Sequence, residues 1–307
     1  GLLCWGRLVT AAKEFRTYAQ QVALLEARGM DVGDPEQAIE RLRSVNYYRM
    51  SGYWYPFRQF DSPEGARRDE FFPGTTLSDV VQLYEFDARL RAATFAALAP
   101  VELRVRALLG HHLGEVDEVA HLRPDLLSAR ARQDRRYDKW RTDFQQRLDR
   151  SREDFVEHHR IKYGGVLPVW AAVEILDWGG LVWLFGFSPR GVQDEVAAAF
   201  GLRAPQLESW LKSLNIVRNV CAHHGRLFNR AFALRPKLPP AHRARELDVM
   251  ADFTRSFGQL TLVQYLLRAS GERTTLLPAV MRSYPDVTRI PVTHMGAPRD
   301  WPHHDLW

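Results

Sequence analysis

Cysteine and lysine are both scarce in this sequence. Cys4 and Cys221 are the two cysteines among 307 residues, too few for a disulfide framework or a cysteine-rich zinc site. This count argues against the small disulfide-bonded secreted proteins and is typical of the reducing cytoplasm, so we expect a cytoplasmic location. Five of the 42 basic residues are lysine, and the positive charge is therefore carried almost entirely by arginine.

Long apolar runs and phosphate-binding loops are also missing from the sequence. The most apolar run, residues 181–187, is too short to span a bilayer. The first residues are apolar but lack the layout of a signal peptide. No Walker motif, glycine-rich loop or internal repeat occurs. The adjacent His158 and His159 cannot ligate one metal ion from a single helix face, so we predict no metal site. From the missing apolar runs and phosphate-binding loops we predict no membrane partner and no cofactor.

The overall composition is that of a folded protein with a basic surface. Hydrophobic residues make up 46% of the chain, the net charge is +5 and the pI is about 9.3. Such a charge is compatible with a polyanionic partner, and arginine suits bidentate contacts to phosphate. Genomic base composition would account for the arginine content equally well.

Apolar residues recur at steps of three and four along most of the chain, which predicts helices. Strand alternation is not evident, so we expect an all-α fold. Residues 61–74 are rich in proline, glycine and charge and are predicted to form a loop. The predicted helices are 16–29, 34–46, 77–99, 101–112, 128–160, 167–185, 190–200, 205–224 and 253–271. We expect the apolar helix over 167–185 to be the central buried one, and Ser151 to open a capping box within 128–160.

Residues 47–58 combine six aromatic side chains with two arginines. Such a stretch fits a surface on which bases stack. Packing of large rings in the core explains it as well.

The stretch Ser213–Arg226 carries the residues with the strongest chemical interest. Arg218, Asn219 and His223 lie near the end of a predicted amphipathic helix, and Gly225 is placed to end it. Asn219 and His223 are four residues apart and share a face, so the amide is placed to orient the imidazole. Arg218 and His223 are about 140° apart around the axis and about 7.5 Å along it. They line one cleft only if the helix unwinds at His223 or if a second copy completes the site.

These side chains suit cleavage of RNA without a metal ion. A neutral histidine accepts the proton of a ribose 2′-hydroxyl. An arginine binds the phosphate and stabilises the charge that develops on it. The spacing of Arg218 and His223 also arises by chance in arginine-rich chains.

Arg218-Asn219-x-x-x-His223 resembles the signature of the HEPN superfamily, helical domains that are mostly ribonucleases. The run 218–230 resembles the Abi-like abortive-infection family (AbiD/AbiF type) within it. The segments 47–58, 83–91 and 158–164, and the chain end, are similar to that family as well. The resemblance covers about 18–307. We therefore predict a single Abi-like HEPN-type helical domain over 16–307, with additional helices, after an N-terminal extension of residues 1–15.

The resemblance implies a metal-independent endoribonuclease of phage defence or a toxin, with Arg218, Asn219 and His223 as catalytic residues. It also implies a homodimer with adjacent motif helices, and RNA as substrate or as a cognate non-coding antitoxin. The leaving group would be protonated by His224 or by His223 of the second copy. A second hypothesis is a helical protein that holds a structured RNA, with cleavage dormant or absent.

Two further pairs of residues are candidates for supporting roles. Glu102 and Arg106 are four apart on one helix face and resemble an acid–base pair that HEPN domains place beside their Arg/His site. An ordinary surface ion pair is the alternative. Arg226 and Arg230 are predicted to bind RNA phosphates next to the cleft. Alternatively, they pair with acids of a neighbouring helix.

Overall fold

The computed structural model describes residues 13–60, 65–133, 135–248, 250–272 and 275–307. Most of these residues are helical, so the all-α prediction is confirmed. The chain divides by its contacts into two compact units. The first is Gly1–Glu85 with Val287–Ile290, and the second is Phe86–Asp286 with Pro291–Trp307.

The first unit contains three helices, the start of a fourth and a hairpin: α1 (Tyr18–Ala27), α2 (Pro35–Val45), α3 (Tyr47–Trp54), β1 (Arg58–Phe60), β2 (Arg67–Phe71) and the first turns of α4 (Leu77–Val116). Helix α1 is followed by Gly29 at a φ of +88°, the conformation that favours glycine. At the start of α2 the Asp34 carboxylate accepts a hydrogen bond from the Glu36 amide at 2.9 Å, with Pro35 in the first turn. The predicted boundaries of both helices are therefore confirmed.

The prediction of a plain loop over 61–74 was wrong, because β2 lies within it. Strand β2 pairs antiparallel with β1, with Arg58 opposite Phe71 and Phe60 opposite Arg67. Its sequence has no apolar alternation because most of its side chains are exposed. Backbone and Arg67 hydrogen bonds fix the hairpin instead: the Arg67 guanidinium donates to the Pro56 and Arg58 carbonyl oxygens at 3.2 and 2.7 Å.

The aromatic run 47–58 is partly buried and partly exposed, so the core-packing role is confirmed for part of it and the base-stacking role stays a prediction. Tyr53, Trp54 and Phe57 are fully buried and pack in the core of the first unit. Tyr48 and Tyr55 are 67% and 51% exposed, so their rings remain accessible to solvent.

The second unit consists of the rest of α4 and nine further helices: α5 (Ala129–Gln133), α6 (Arg135–Arg150), α7 (Asp154–Lys162), α8 (Val169–Ala172), α9 (Trp178–Phe187), α10 (Arg190–Ala198), α11 (Ala204–Ala222), α12 (Ser256–Ala269) and α13 (Leu276–Arg282). Every residue of α12 from Ser256 to Leu267 is buried. The central buried helix of this unit is therefore α12.

The apolar stretch 167–185, predicted to be one central helix, forms α8 and α9 instead. The break falls at Asp177, whose carboxylate accepts a hydrogen bond from the Gly180 amide at 2.8 Å and caps α9. An N-cap of this kind satisfies one of the amides that have no partner at the start of a helix. The chain therefore ends one helix and starts another at this residue.

Pro100 does not end a helix, contrary to the prediction. Helix α4 runs through it for 40 residues. A proline removes one backbone donor and crowds the preceding turn. Leu98 and Val101 on either side of it, and Val105 one turn further, are buried, so core packing on both sides stabilises the uninterrupted helix.

The predicted helix over 128–160 comprises the described helices α5, α6 and α7, and residue 134 between the first two lies outside the described residues. Residues 151–153 separate the last two, and the N-cap of α7 is Glu153, so the capping box expected at Ser151 was wrong. The buried stripe of α6 is the predicted one: Tyr137, Trp140, Phe144 and Leu148.

Within the described residues, none of the helices combines the length and the apolar character that crossing a bilayer requires. The predicted extension over 1–15 lies mostly outside those residues. Helix α4 begins in the first unit and ends in the second, and a single domain over 16–307 stays a prediction.

His121 makes the stability of the second unit depend on pH. Its ring is buried against Phe144, and neither ring nitrogen has a hydrogen-bond partner within the described ranges. Burial lowers the pKa of His121 from 6.5 to about 4. Between these two values the unfolded chain binds the extra proton and the folded chain does not. Stability is therefore kept above about pH 6.5 and falls as the pH drops towards 4.

We expect His121 protonation to remove about 3 kcal/mol of unfolding free energy between pH 6.5 and 4. Urea denaturation of wild type and His121→Leu across this range measures the effect. The variant should lose less stability on acidification than the wild type. Equal pH dependence of the two proteins would contradict this assignment.

Candidate functional site

Helix α11 presents the end of the predicted motif to solvent. Its apolar face, Leu207, Trp210, Leu211, Leu214 and Val217, is fully buried. This burial fixes which face of the helix remains outside. Asn219, His223 and His224 are exposed, and Arg218 is half-buried.

The helix ends at His223, in a Schellman turn. The Gly225 amide donates to the Val220 carbonyl oxygen at 2.7 Å and the His224 amide donates to the Cys221 carbonyl oxygen at 3.2 Å, the hydrogen-bond pattern of that motif. The condition set by the sequence analysis, that the helix unwinds at His223, is therefore met.

The left-handed residue of this turn is His224, with a φ of +54°, and not Gly225 as expected. Close packing favours glycine at 225 instead. A Cβ there would lie 3.3 Å from both the carbonyl oxygen and Cγ1 of Val220. The close approach of the chain to the last turn of α11, rather than a positive φ, selects this glycine.

Arg218 is held by an aromatic ring. Its guanidinium carbon lies 5.2 Å from the centre of the Phe95 ring on α4. The Nε atom is buried and has no hydrogen-bond partner within the described part of the chain. The guanidinium is therefore positioned by a flat apolar surface while a donor stays unsatisfied.

Asn219 and His223 share an exposed face but do not hold each other through their side chains. The His223 amide donates to the Asn219 carbonyl oxygen at 3.0 Å. Between their side chains no hydrogen bond occurs in the described structure. The predicted orientation of the imidazole by the Asn219 amide is not present in this chain alone.

The chain that follows the motif is anchored by Asp87, a buried residue of α4. Its carboxylate accepts hydrogen bonds from the Phe228 amide at 2.6 Å and the Leu227 amide at 3.3 Å. It also forms an ion pair with Arg91, one turn along the same helix. Asp87 is completely buried and Arg91 is 6% exposed. This interaction joins residues 140 positions apart and fixes where the motif turn leads.

A second anchor comes from the start of α12. The Arg230 amide donates to Ser256 Oγ at 2.8 Å, and this hydroxyl donates to the Leu227 carbonyl oxygen at 2.6 Å. Asn229, which has a φ of +47°, accepts a hydrogen bond from Arg255 at 2.6 Å. The segment 227–230 is therefore held from both α4 and α12.

Residues 40–229 match the Abi-like protein family. This range is 190 of the 307 residues and includes Asp87, Arg91 and the motif. The chain belongs to the Abi-like family. Comparisons with curated proteins and with solved structures gave no match. Family membership suggests a role in abortive infection, a bacterial defence against phage.

Two of the stretches that resemble the family, 83–91 and 218–230, contact each other in this Abi-like chain. Asp87 and Arg91 lie in the stretch 83–91, and Leu227 and Phe228 lie in the stretch 218–230. Sequence reasoning missed this pair as part of the site. The available signal was an acid and a base four residues apart, next to the apolar positions Leu83, Phe86 and Leu90 of the same helical run.

Glu102 and Arg106 brace a different part of the molecule. The Arg106 guanidinium donates to the Val173, Glu174 and Leu176 carbonyl oxygens at 3.0, 2.7 and 3.1 Å, and to Glu102 at 2.9 Å. These bonds stabilise the connection from α8 to α9. Among the described residues the pair makes no hydrogen bond to Arg218 or His223, and Glu102 lies about 10 Å along α4 from Phe95.

Arg230 has no acidic partner among the described residues. Its guanidinium donates to the Arg226 carbonyl oxygen at 3.3 Å and lies 5.8 Å from the Phe232 ring centre. Of the two predicted roles for Arg230, an ion pair with a neighbouring helix is absent from the described structure. The phosphate-binding role of Arg226 and Arg230 stays a prediction.

One cluster of possible metal ligands lies on α4, far along this helix from Phe95, which contacts Arg218 of the motif. Each of His111, His112 and Glu115 offers one ligand atom, and these three atoms lie within 4.8 Å of one another. His112 Nδ1 is 2.9 Å from the Glu115 carboxylate, and this hydrogen bond lowers the pKa of Glu115. Sequence reasoning considered only His158 and His159 and overlooked this cluster.

Breaking the buried ion pair should destabilise the protein strongly. We expect Asp87→Ala to lower the free energy of unfolding by about 3–5 kcal/mol, because it leaves the Arg91 charge buried and unpaired. The double variant Asp87→Leu with Arg91→Met should recover part of this loss, while the Leu227 and Phe228 amides stay unsatisfied. Chemical denaturation measures both. A loss under 1 kcal/mol in Asp87→Ala would contradict the assignment.

The left-handed conformation of residue 224 predicts a difference between two substitutions. His224→Gly and His224→Ala both remove the imidazole, but alanine keeps a Cβ that disfavours a positive φ. We expect the glycine variant to be more stable than the alanine variant by about 1 kcal/mol, measured by thermal or urea denaturation. Equal stabilities would mean that the turn relaxes to another conformation.

Proposed function

We propose that this Abi-like chain is a metal-independent endoribonuclease of the HEPN type that acts in phage defence or as a toxin. The observation that carries the proposal is the arrangement at the end of α11. His223 lies exposed where the helix unwinds, and Arg218 lies half-buried with a buried donor that no described residue satisfies.

Arg218 is the phosphate-binding group in this proposal. Stacking on Phe95 limits the orientations of its guanidinium. A buried donor without a partner costs about 1–3 kcal/mol. Nε itself is buried, so a phosphate oxygen would bind at the part of the half-buried guanidinium that solvent reaches. The same charge-assisted hydrogen bond strengthens as negative charge develops on the phosphorus oxygens.

His223 is the general base. Its neutral imidazole takes the proton from the ribose 2′-hydroxyl, and the 2′-oxygen attacks the adjacent phosphorus. The bond from phosphorus to the 5′-oxygen breaks, and that oxygen leaves with a proton from His224 or from His223 of a second copy. The products carry a 2′,3′-cyclic phosphate and a 5′-hydroxyl. No electron acceptor, metal ion or other co-reactant enters this balance.

A homodimer with adjacent motif helices is part of the proposal. Although α11 ends at His223, this residue and Arg218 are about 140° apart around the axis of a regular helix, so the proposal also uses the second arrangement that brings them into one cleft, completion by a second copy. A second copy would supply a base opposite each arginine. It would also supply a partner for the exposed Asn219 and His223 side chains.

A binding protein that holds a structured RNA without cutting it is the second candidate. The observation that favours it is the His223 imidazole, which no hydrogen bond orients within the described residues of one chain. An unoriented base misplaces the proton acceptor and slows catalysis. Such a protein would use the same arginines to bind phosphates.

Cleavage of labelled RNA in EDTA tests the proposal. We expect the wild type to cut, His223→Ala to cut about 10²–10⁴-fold more slowly, and Arg218→Ala about 10²–10³-fold more slowly. His111→Ala is the matched control, an exposed histidine about 24 Å along α4 from Phe95. Near-ultraviolet circular dichroism establishes that the variants remain folded.

A 2′-deoxy nucleotide at the scissile position should block cutting, because it removes the nucleophile. Sustained cutting of a fully 2′-deoxy strand, or an absolute requirement for Mg²⁺, would overturn the mechanism. Tight binding of RNA with no cutting by the wild type would instead favour the binding protein.

A further inference from the structure

A groove separates α6 from the first turns of α9. Its volume is about 440 Å³. One wall is a single face of α6 formed by Arg136, Lys139, Asp143 and Arg147. The other wall is formed by Asp177, Gly179, Gly180 and Trp183. Because both helices belong to the unit that contains the motif, the groove and α11 are parts of one compact body.

The two walls are tied together at the base and at one end. Trp140 Nε1 donates to the Gly180 carbonyl oxygen at 3.0 Å. Arg147 forms an ion pair with Asp177 at 2.5 Å. Trp178 of α9 donates to the Leu211 carbonyl oxygen of α11 at 2.9 Å. The groove is therefore a preformed feature of the fold, with a fixed position relative to the motif helix.

The chemistry of the groove combines positive charge with a half-exposed ring. Lys139 is exposed and has no ion pair or hydrogen bond within the described ranges. The guanidinium of Arg136 lies 5.6 Å from the centre of the half-exposed Trp183 ring, which also contacts the Arg130 guanidinium at 5.2 Å and stacks with the Phe187 ring at 5.6 Å. Helix α6 as a whole carries six basic and three acidic residues. A flat ring beside cations is the combination that binds single-stranded nucleic acid.

The glycines of α9 open the groove towards the motif helix. A Cβ on Gly179 would lie 3.7 Å from Asn215 Nδ2 of α11. Asn215, Asn219 and His223 follow one another at steps of four, so they form one stripe along α11. The stripe runs about 12 Å from the edge of the groove to the proposed base.

We propose that the α6–α9 groove binds the nucleotides of a single RNA strand that flank the scissile phosphate. Lys139 and Arg136 contact the phosphates, and a base stacks at Trp183. The strand then follows Asn215 and Asn219 to His223. A duplex is excluded as the occupant because its bases are already stacked and cannot reach the ring. The role of the strand as a substrate rests on the proposed nuclease function, whereas its binding in the groove does not.

Binding of a labelled single strand of RNA that carries 2′-O-methyl nucleotides, which lack the nucleophilic 2′-hydroxyl and so resist cutting, tests the groove directly. Fluorescence anisotropy gives the affinity of wild type, Lys139→Glu and Arg141→Glu over a series of salt concentrations. Arg141 is the matched control: it is exposed on the same helix, about 200° around the axis from Lys139. Both variants change the net charge by the same amount, from positive to negative at one position.

We expect Lys139→Glu to weaken binding about 10-fold and to reduce the salt slope by about 0.7, the value for one contact to a single strand. Arg141→Glu should change affinity less than 2-fold. Gly179→Glu should weaken binding as well, whereas Gly179→Ala should not, since its Cβ would meet neighbours only at 3.6 Å or more.

Equal losses in Lys139→Glu and Arg141→Glu, or no loss in either, would overturn the groove proposal. So would competition by an RNA duplex, or by an acidic peptide, as strong as that by the single strand. The strand is not cut in this experiment, so a failure of the nuclease proposal appears separately, as absent cleavage of an ordinary RNA by the wild type.

Discussion

The buried carboxylate of Asp87 is the interaction on which the site depends. It compensates the charge of Arg91 and receives the amides of Leu227 and Phe228. A buried charge is tolerated only when it is paired and hydrogen-bonded, so all three partners are required at once. The turn after His223 is therefore fixed in one position, and this position sets the direction of the exposed histidines.

Helix α4 positions both the segment after the motif and the motif residue Arg218. Asp87, Arg91 and Phe95 are spaced by four residues and share one face. The first two hold the segment after the motif, and the third supports the Arg218 guanidinium. The continuous passage of α4 through Pro100 also places Arg106 where it braces the connection to α9. One helix thus sets the position of the motif and of the groove wall that α9 forms.

The features that the sequence predicted correctly depend on residues close together in the chain. The apolar stripe of α11, its end at His223 and the caps at Asp34 and Gly29 all follow from local spacing and turn chemistry. The errors concern long-range packing. Pro100 stays in a helix because of burial on both sides, and β2 is held by backbone and arginine hydrogen bonds that leave no hydrophobic pattern. The Leu227 and Phe228 amides that bind Asp87 lie 140 or more positions further along the chain, a separation that no sequence periodicity reveals.

Hydrogen exchange at the Leu227 and Phe228 amides tests most directly whether Asp87 holds the motif turn. In the wild type both amides should exchange only through large-scale unfolding, since each is buried and bonded to the carboxylate. In Asp87→Asn they should exchange through local opening, and their exchange should accelerate at least 10-fold more than that of the α12 amides, which report the loss of global stability. Rapid exchange of both amides in the wild type, or unchanged protection in the variant, would contradict the account.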